Sequence, residues 1–150
     1  MTESTNDIDR QLNGGIEAFE ANEFQRAWQI LKPLADAGFA QAQYRCAIMI
    51  QNGLGVAACP AVAVTLMRAA ADQQLARAQH AMGMMFLFGE GVEQDATKGI
   101  AWLEQAGASG LAGAWSTLGM IYAEGQGVDK DIDRARDCYQ KAGFDPDEFV

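Results

Sequence analysis

The chain repeats itself at an interval of 36 residues: Gly53-Leu54-Gly55-Val56 returns as Gly89-Glu90-Gly91-Val92 and again as Gly125-Gln126-Gly127-Val128. A fixed period of this length marks stacked supersecondary units, each leaning on its neighbours. The residues between the loops keep the same register. Ala42, Ala78 and Ala114 form one column, and Cys46, Met82 and Leu118 a second. Ala47, Gly83 and Gly119 form a small-residue column, and Ile50, Phe86 and Tyr122 a large one. Offsets of four, one and three residues trace one face of an α-helix. A second face follows each loop. Ala63, Gly99 and Ala135 are small, Met67, Leu103 and Tyr139 are large, and Ala70, Ala106 and Ala142 are small again. Extending the register backwards adds Ala27, Leu31 and Leu34. Each unit therefore reads as two helices whose small residues let the backbones approach while the large ones fill the gaps.

The loops supply the ends of these helices. The first glycine takes the left-handed conformation that closes a helix, and the second keeps the turn tight. Asp95 and Asp131 fall where the next helix begins, as N-caps. Cys59 holds that column in the earlier unit and Pro60 follows it, so the helix still starts there with a weaker cap. Eight helices are expected, at 7–20, 24–37, 40–52, 60–73, 76–88, 96–109, 112–124 and 132–142. The first pair lacks the glycine loop and turns through Ala21-Asn22-Glu23. One pair cannot bury its apolar face alone, so the 150 residues are read as a single repeat domain. It comprises a short first repeat (about 7–39), three full repeats (40–75, 76–111, 112–143) and an acidic tail (144–150). The 27 alanines and 16 glycines against three prolines favour closely packed helices over a β sandwich.

These residues resemble the Sel-one-like repeat family, part of the tetratricopeptide superfamily, over about residues 14–143. The resemblance is carried by Leu118-Gly119-Met120-Ile121-Tyr122, by Gly125-Gln126-Gly127-Val128-Asp129-Lys130-Asp131 and by Lys141-Ala142. The parallel run from Met82-Gly83-Met84-Met85-Phe86 through Gly89 to Asp95 supports it. The resemblance implies an all-α, right-handed α-solenoid of about four helix-turn-helix repeats. It also implies a scaffold or adaptor role, in which a concave face built from the first helix of each pair holds a partner. Some bacterial members carry a disulfide in each repeat. This chain lacks the paired cysteines for it, which argues against a secreted, stapled role.

Signs of catalysis are missing from the sequence. With His80 as its one histidine, the chain cannot form a two-histidine zinc motif. It has no G-x-S-x-G elbow and no phosphate-loop motif. The G-x-G pairs lack a third glycine and a preceding strand, and their periodicity already accounts for them. Cys46 shares a column with Met82 and Leu118 and reads as a small core hydrophobe. The three cysteines, Cys46, Cys59 and Cys138, fit no closed disulfide set, and reduced thiols in a cytoplasmic protein are expected. The stretch from Met1 to Arg10 has no apolar signal core, so secretion is not expected if this is the native start. A net charge of −9 argues against nucleic acid and anionic lipid as partners, and no stretch is apolar for long enough to span a bilayer. No enzyme activity, cofactor or metal is expected.

What remains is a surface. Superfamily geometry turns certain first-helix columns toward the concave side: Leu12, Tyr44, His80 and Ser116; Ile16, Ile48, Met84 and Met120; and Phe19, Gln51, Leu87 and Ala123 beside Glu20, Asn52, Phe88 and Glu124. These columns are nearly free of charge and rich in methionine, which adapts to varied side chains. Arg45 and Arg77 lie in a mildly basic middle, net +2 over residues 41–88, between ends of −4 and −7. The partner-binding candidates are therefore Ile16, Tyr44, Arg45, Ile48, Arg77, His80, Met84, Leu87, Phe88, Ser116 and Met120. Packing against the neighbouring repeat is the competing role for each apolar one. Trp28, Trp102 and Trp115 read as anchors at pair boundaries. The expected function is a non-enzymatic adaptor holding a short segment of another protein in an apolar groove. The alternative is a structural, assembly or inhibitor (immunity-type) protein that acts by rigid-body contact or self-association.

Overall fold

The computed structural model describes residues 5–148, and among these there are eight α-helices, one short 3-10 turn and no strand. The chain divides into two compact units, one ending at Gln73 and the other beginning at Gln74. The first unit holds α1 (Thr5–Glu20), α2 (Phe24–Asp36), α3 (Ala40–Asn52) and α4 (Pro60–Asp72). The second holds α5 (Ala76–Phe88), α6 (Ala96–Ala108), α7 (Ala112–Glu124) and α8 (Ile132–Lys141). Every helix begins and ends within two residues of its sequence expectation.

The repeated loop has one geometry wherever it occurs. Gly53, Gly89 and Gly125 close α3, α5 and α7 in the left-handed region, with φ of 68°, 68° and 69°. The next N–H bonds back to a helix carbonyl: Leu54 to Met49, Glu90 to Met85 and Gln126 to Ile121, at 2.9–3.0 Å. That satisfies carbonyls the helix end would otherwise leave open. The second glycine is also left-handed, at φ 73°, 72° and 71°. At Gly55 the space is claimed as well, since a Cβ there would stand 2.9 Å from the Phe24 backbone. The loop then docks on the helix it has just left, through Cys59 N–H to Ile50 O, Asp95 N–H to Phe86 O and Asp131 N–H to Tyr122 O.

The helix starts differ as the sequence indicates. Asp95 accepts from the Lys98 N–H and Asp131 from the Arg134 N–H, whereas Cys59 caps nothing and leaves the start of α4 to Pro60. Asn22, at φ 61°, makes the tight turn between α1 and α2.

The columns read from the period are the core. Ala42, Cys46 and Met67 in the first unit, and Ala78, Met82, Leu103, Ala114 and Leu118 in the second, have no accessible surface. Each large one of these stabilises the fold by roughly 1.5–3 kcal/mol. Gly83 and Gly119 let partners close in: a Cβ at Gly83 would meet the Gly99 carbonyl at 2.9 Å, and one at Gly119 the Tyr139 ring at 2.7 Å. Of the column residues named from the sequence, Ala142 alone is only half-buried. Trp28 and Trp115 lean on the cores of their own units, and Trp115 fills the space beside Gly107. The tail folds onto α8 through a Phe144 N–H to Tyr139 O bond and an Arg136–Asp147 ion pair. Its last two positions, 149–150, lie outside the described residues.

Candidate functional site

In the first unit, Ile16, Tyr44 and Ile48 are half-buried on α1 and α3. Arg45 is withdrawn from the surface, at 7% exposure. Its guanidinium donates to the Gln41 carbonyl at 3.0 Å and to Gln41 Oε1 at 2.7 Å. It also lies over the Phe19 and Tyr44 rings at 5.9 and 5.8 Å. A guanidinium held this way braces α3 against α1 before it can reach an incoming carboxylate.

In the second unit, α5 and α7 place the remaining candidates on two neighbouring faces. Arg77, His80, Met84 and Phe88 follow one another at offsets of three, four and four along α5. Ser116, Met120 and Glu124 do so at offsets of four along α7. Phe88 and Met120 are 54% and 50% exposed, a large apolar exposure for side chains next to a complete core. Met84 is half-buried and touches that core. Leu87 turns the other way: it is buried at 9%, in the space beside Gly99. Arg77 is exposed.

His80 is half-buried, and its Nε2 lies 3.4 Å from Thr117 Oγ1. Thr117 spends its own proton on the Gly113 carbonyl at 2.9 Å, so its oxygen accepts from a protonated His80 Nε2. Burial holds the His80 pKa below its ordinary value, which keeps the ring neutral at pH 7. It is a polar link between α5 and α7.

Burial disfavours the thiolate at both buried cysteines. Burial pushes the Cys46 thiol up to about 12 and raises that of Cys138 as well, the latter helped by Asp137. No group of three or more His, Cys, Asp or Glu side chains stands ready for a metal among the described residues. A cleft of about 980 Å³ opens between α6 and the loop into α8. Ile100 and Tyr122 line it together with Glu104, Asp129, Asp131, Lys130 and Arg134, and Arg134 pairs with Asp131 at 3.6 Å. Arg134 lies over the Tyr122 ring and donates to its hydroxyl at 3.4 Å.

Three polar residues were not singled out from the sequence. Gln43 and Gln79 are buried, and each ties the first helix of its repeat to the end of the second. Gln73 donates to Gln43 Oε1 at 2.8 Å, and Ser109 to Gln79 Oε1 at 2.9 Å. Their 36-residue separation was a visible signal, masked by an expectation that glutamine lies outside. Thr117, the partner of His80, carried no such signal.

The comparisons with known proteins agree with this architecture. The Sel1 repeat model matches residues 40–75, 76–111 and 118–143. A Sel1 repeat protein from Oxalobacter formigenes superposes with a TM-score of 0.84 and 28% identity, over 91% of this chain and 57% of that one. A protective antigen of uropathogenic Escherichia coli with an SLR fold, c5321, superposes with a TM-score of 0.80 and 31% identity, over 91% of this chain and 30% of that one. The chain thus spans little more than half of the first and under a third of the second. No curated protein sequence matches. In fold class the chain is an all-α repeat protein of the solenoid type.

Proposed function

Because the chain belongs to the Sel1 repeat family, we propose that it is a non-enzymatic adaptor that holds a short segment of another protein against the first helices of its repeats. Sel1 repeat proteins are in general protein–protein interaction modules and non-catalytic scaffolds. The observation that carries the reading is the pair Phe88 and Met120, half-exposed beside Met84 although the core beneath them is already closed. Apolar side chains that the core does not need, on rigid helices, form a surface that gains by being covered. Methionine lets that surface follow side chains of different shape. In the first unit, taken by itself, Ile16, Tyr44 and Ile48 are the half-buried first-helix candidates, with Arg45 as a brace.

The same proposal places the chain in the cytoplasm. No helix among the described residues is long and apolar enough to cross a membrane. The three cysteines are free, two of them buried, which suits a reducing compartment such as the cytoplasm.

The test is affinity capture from the source lysate with wild type, Met84→Glu and Met120→Glu in parallel. Met120 is exposed, so its variant keeps the helical circular dichroism of wild type. Both variants lose the partner that wild type retains. A Met120→Glu protein that captures the same partner equally well would remove the basis of the proposal.

A further inference from the structure

The strip on α5 and α7 has a charge at each end and none between. From Ala78 to Phe88 and from Ala112 to Ala123 the sequence has no charged residue. Arg77 stands at the start of α5, on the face that carries His80, Met84 and Phe88. Glu124 stands at the end of α7, on the face that carries Met120. Both are exposed, and neither takes part in an ion pair with another described residue. Met84 and Met120, and Phe88 and Glu124, are equivalent positions 36 residues apart on α5 and α7, and the His80–Thr117 contact brings these two helices together. The uncharged stretch is therefore about 16 Å long, eleven residues at a helical rise of 1.5 Å. It runs from a cationic end to an anionic end.

Resting on the reading above, we infer that this strip takes a short partner segment in which an apolar run is flanked by an acidic residue on one side and a basic residue on the other. The acidic residue lies by Arg77, the apolar run covers Met84, Met120 and Phe88, and the basic residue lies by Glu124. Length and area select a segment over a second copy of the chain. The exposed halves of Phe88 and Met120 amount to roughly 200 Å². A stable protein–protein interface buries about 800 Å² per partner. A net charge of −9 further opposes self-pairing. The end charges select among segments more than they tighten binding, since exposed pairs are weak and a misplaced like charge repels.

The test uses three synthetic peptides of about ten residues that share one Leu/Met core. One has Glu at one terminus and Lys at the other, one has Glu at both, and one has Lys at both. Binding is read by fluorescence anisotropy at low salt. Wild type prefers the mixed peptide by about three- to tenfold, and the preference fades at high salt. Arg77→Glu, which makes both ends anionic, moves the preference to the Lys-flanked peptide. Glu124→Lys moves it to the Glu-flanked one. Equal binding of all three peptides, lost in Met120→Glu, overturns the charge pattern and leaves the apolar strip standing. Binding that persists in Met120→Glu overturns the strip itself, and so does an absence of binding by any peptide. A dimer in light scattering that Met120→Glu dissolves overturns the choice of occupant.

Discussion

Gly14 and Gly15 are neighbours in sequence and opposites in function. A Cβ at Gly14 would meet nothing within 4 Å, whereas one at Gly15 would stand 2.5 Å from the Leu31 side chain. Leu31 has no accessible surface and packs in the core of the first unit. Gly14→Ala therefore stabilises α1 by about 0.5–1 kcal/mol, through the backbone entropy that glycine loses in a helix. Gly15→Ala destabilises by about 1–3 kcal/mol, because the added methyl overpacks the α1–α2 contact. Urea denaturation of the two variants checks the opposite signs. The buried thiols act at the same scale. Between the ordinary thiol value of 9.0 and about 12, an unfolded chain has lost the Cys46 proton and the folded chain has kept it. The folded state then binds more protons, so stability falls as pH rises through that window, by at most about 1.4 kcal/mol per pH unit for one group. Cys138, raised mainly by burial, adds to the same trend. Thermal melts hold up to about pH 8.5 and then fall toward about pH 10.5 in wild type, and fall less in Cys46→Ala. Parallel curves for the two proteins would sink the assignment.

The helices differ chiefly in how they begin. Cys59, Asp95 and Asp131 occupy one position with one backbone geometry, φ of −147°, −153° and −141°. Only the aspartates accept a hydrogen bond from the third residue of the helix. Cys59→Asp supplies the missing acceptor to α4 without moving the backbone, and raises stability by about 1 kcal/mol. Asp95→Ala lowers it by a similar amount, and denaturant midpoints distinguish the two. The ends on either side of each repeated loop were legible in the sequence, because the period placed a left-handed glycine after α3, α5 and α7 and a capping position before α4, α6 and α8. The first hairpin was legible through Ala27, Leu31 and Leu34, although it lacks the loop. Burial of polar side chains was not legible. Arg45 reads as a surface cation until Gln41, Phe19 and Tyr44 are placed around it. Leu87 and Phe88 read as one exposed pair, yet the empty side of Gly99 draws Leu87 into the core and leaves Phe88 outside. A one-residue step around a helix turns a side chain by about 100°, and only the neighbouring helix decides which side is in.

At the scale of the molecule, the period that specifies the fold also separates two kinds of surface. Charge gathers at the chain's two ends, net −4 over residues 1–40 and −7 over residues 89–150. The first-helix faces of α5 and α7 stay uncharged between Arg77 and Glu124. The two surfaces answer salt differently. An acidic body repels polyanions, and raising the salt only screens the repulsion, because no phosphate neutralisation drives the association. Covering an apolar strip does not depend on ionic strength in that way, so a partner held mainly by Met84, Phe88 and Met120 stays bound when charge contacts are screened. The chain is therefore expected to pass through a column of immobilised duplex DNA at about 0.15 M salt without delay. The complex captured from lysate is expected to survive a wash at about 0.5 M salt with little loss. Both measurements use one preparation. A partner released by the wash would move the binding energy from the apolar strip to the charged ends, where Met120→Glu has no effect and charge-neutralising substitutions do.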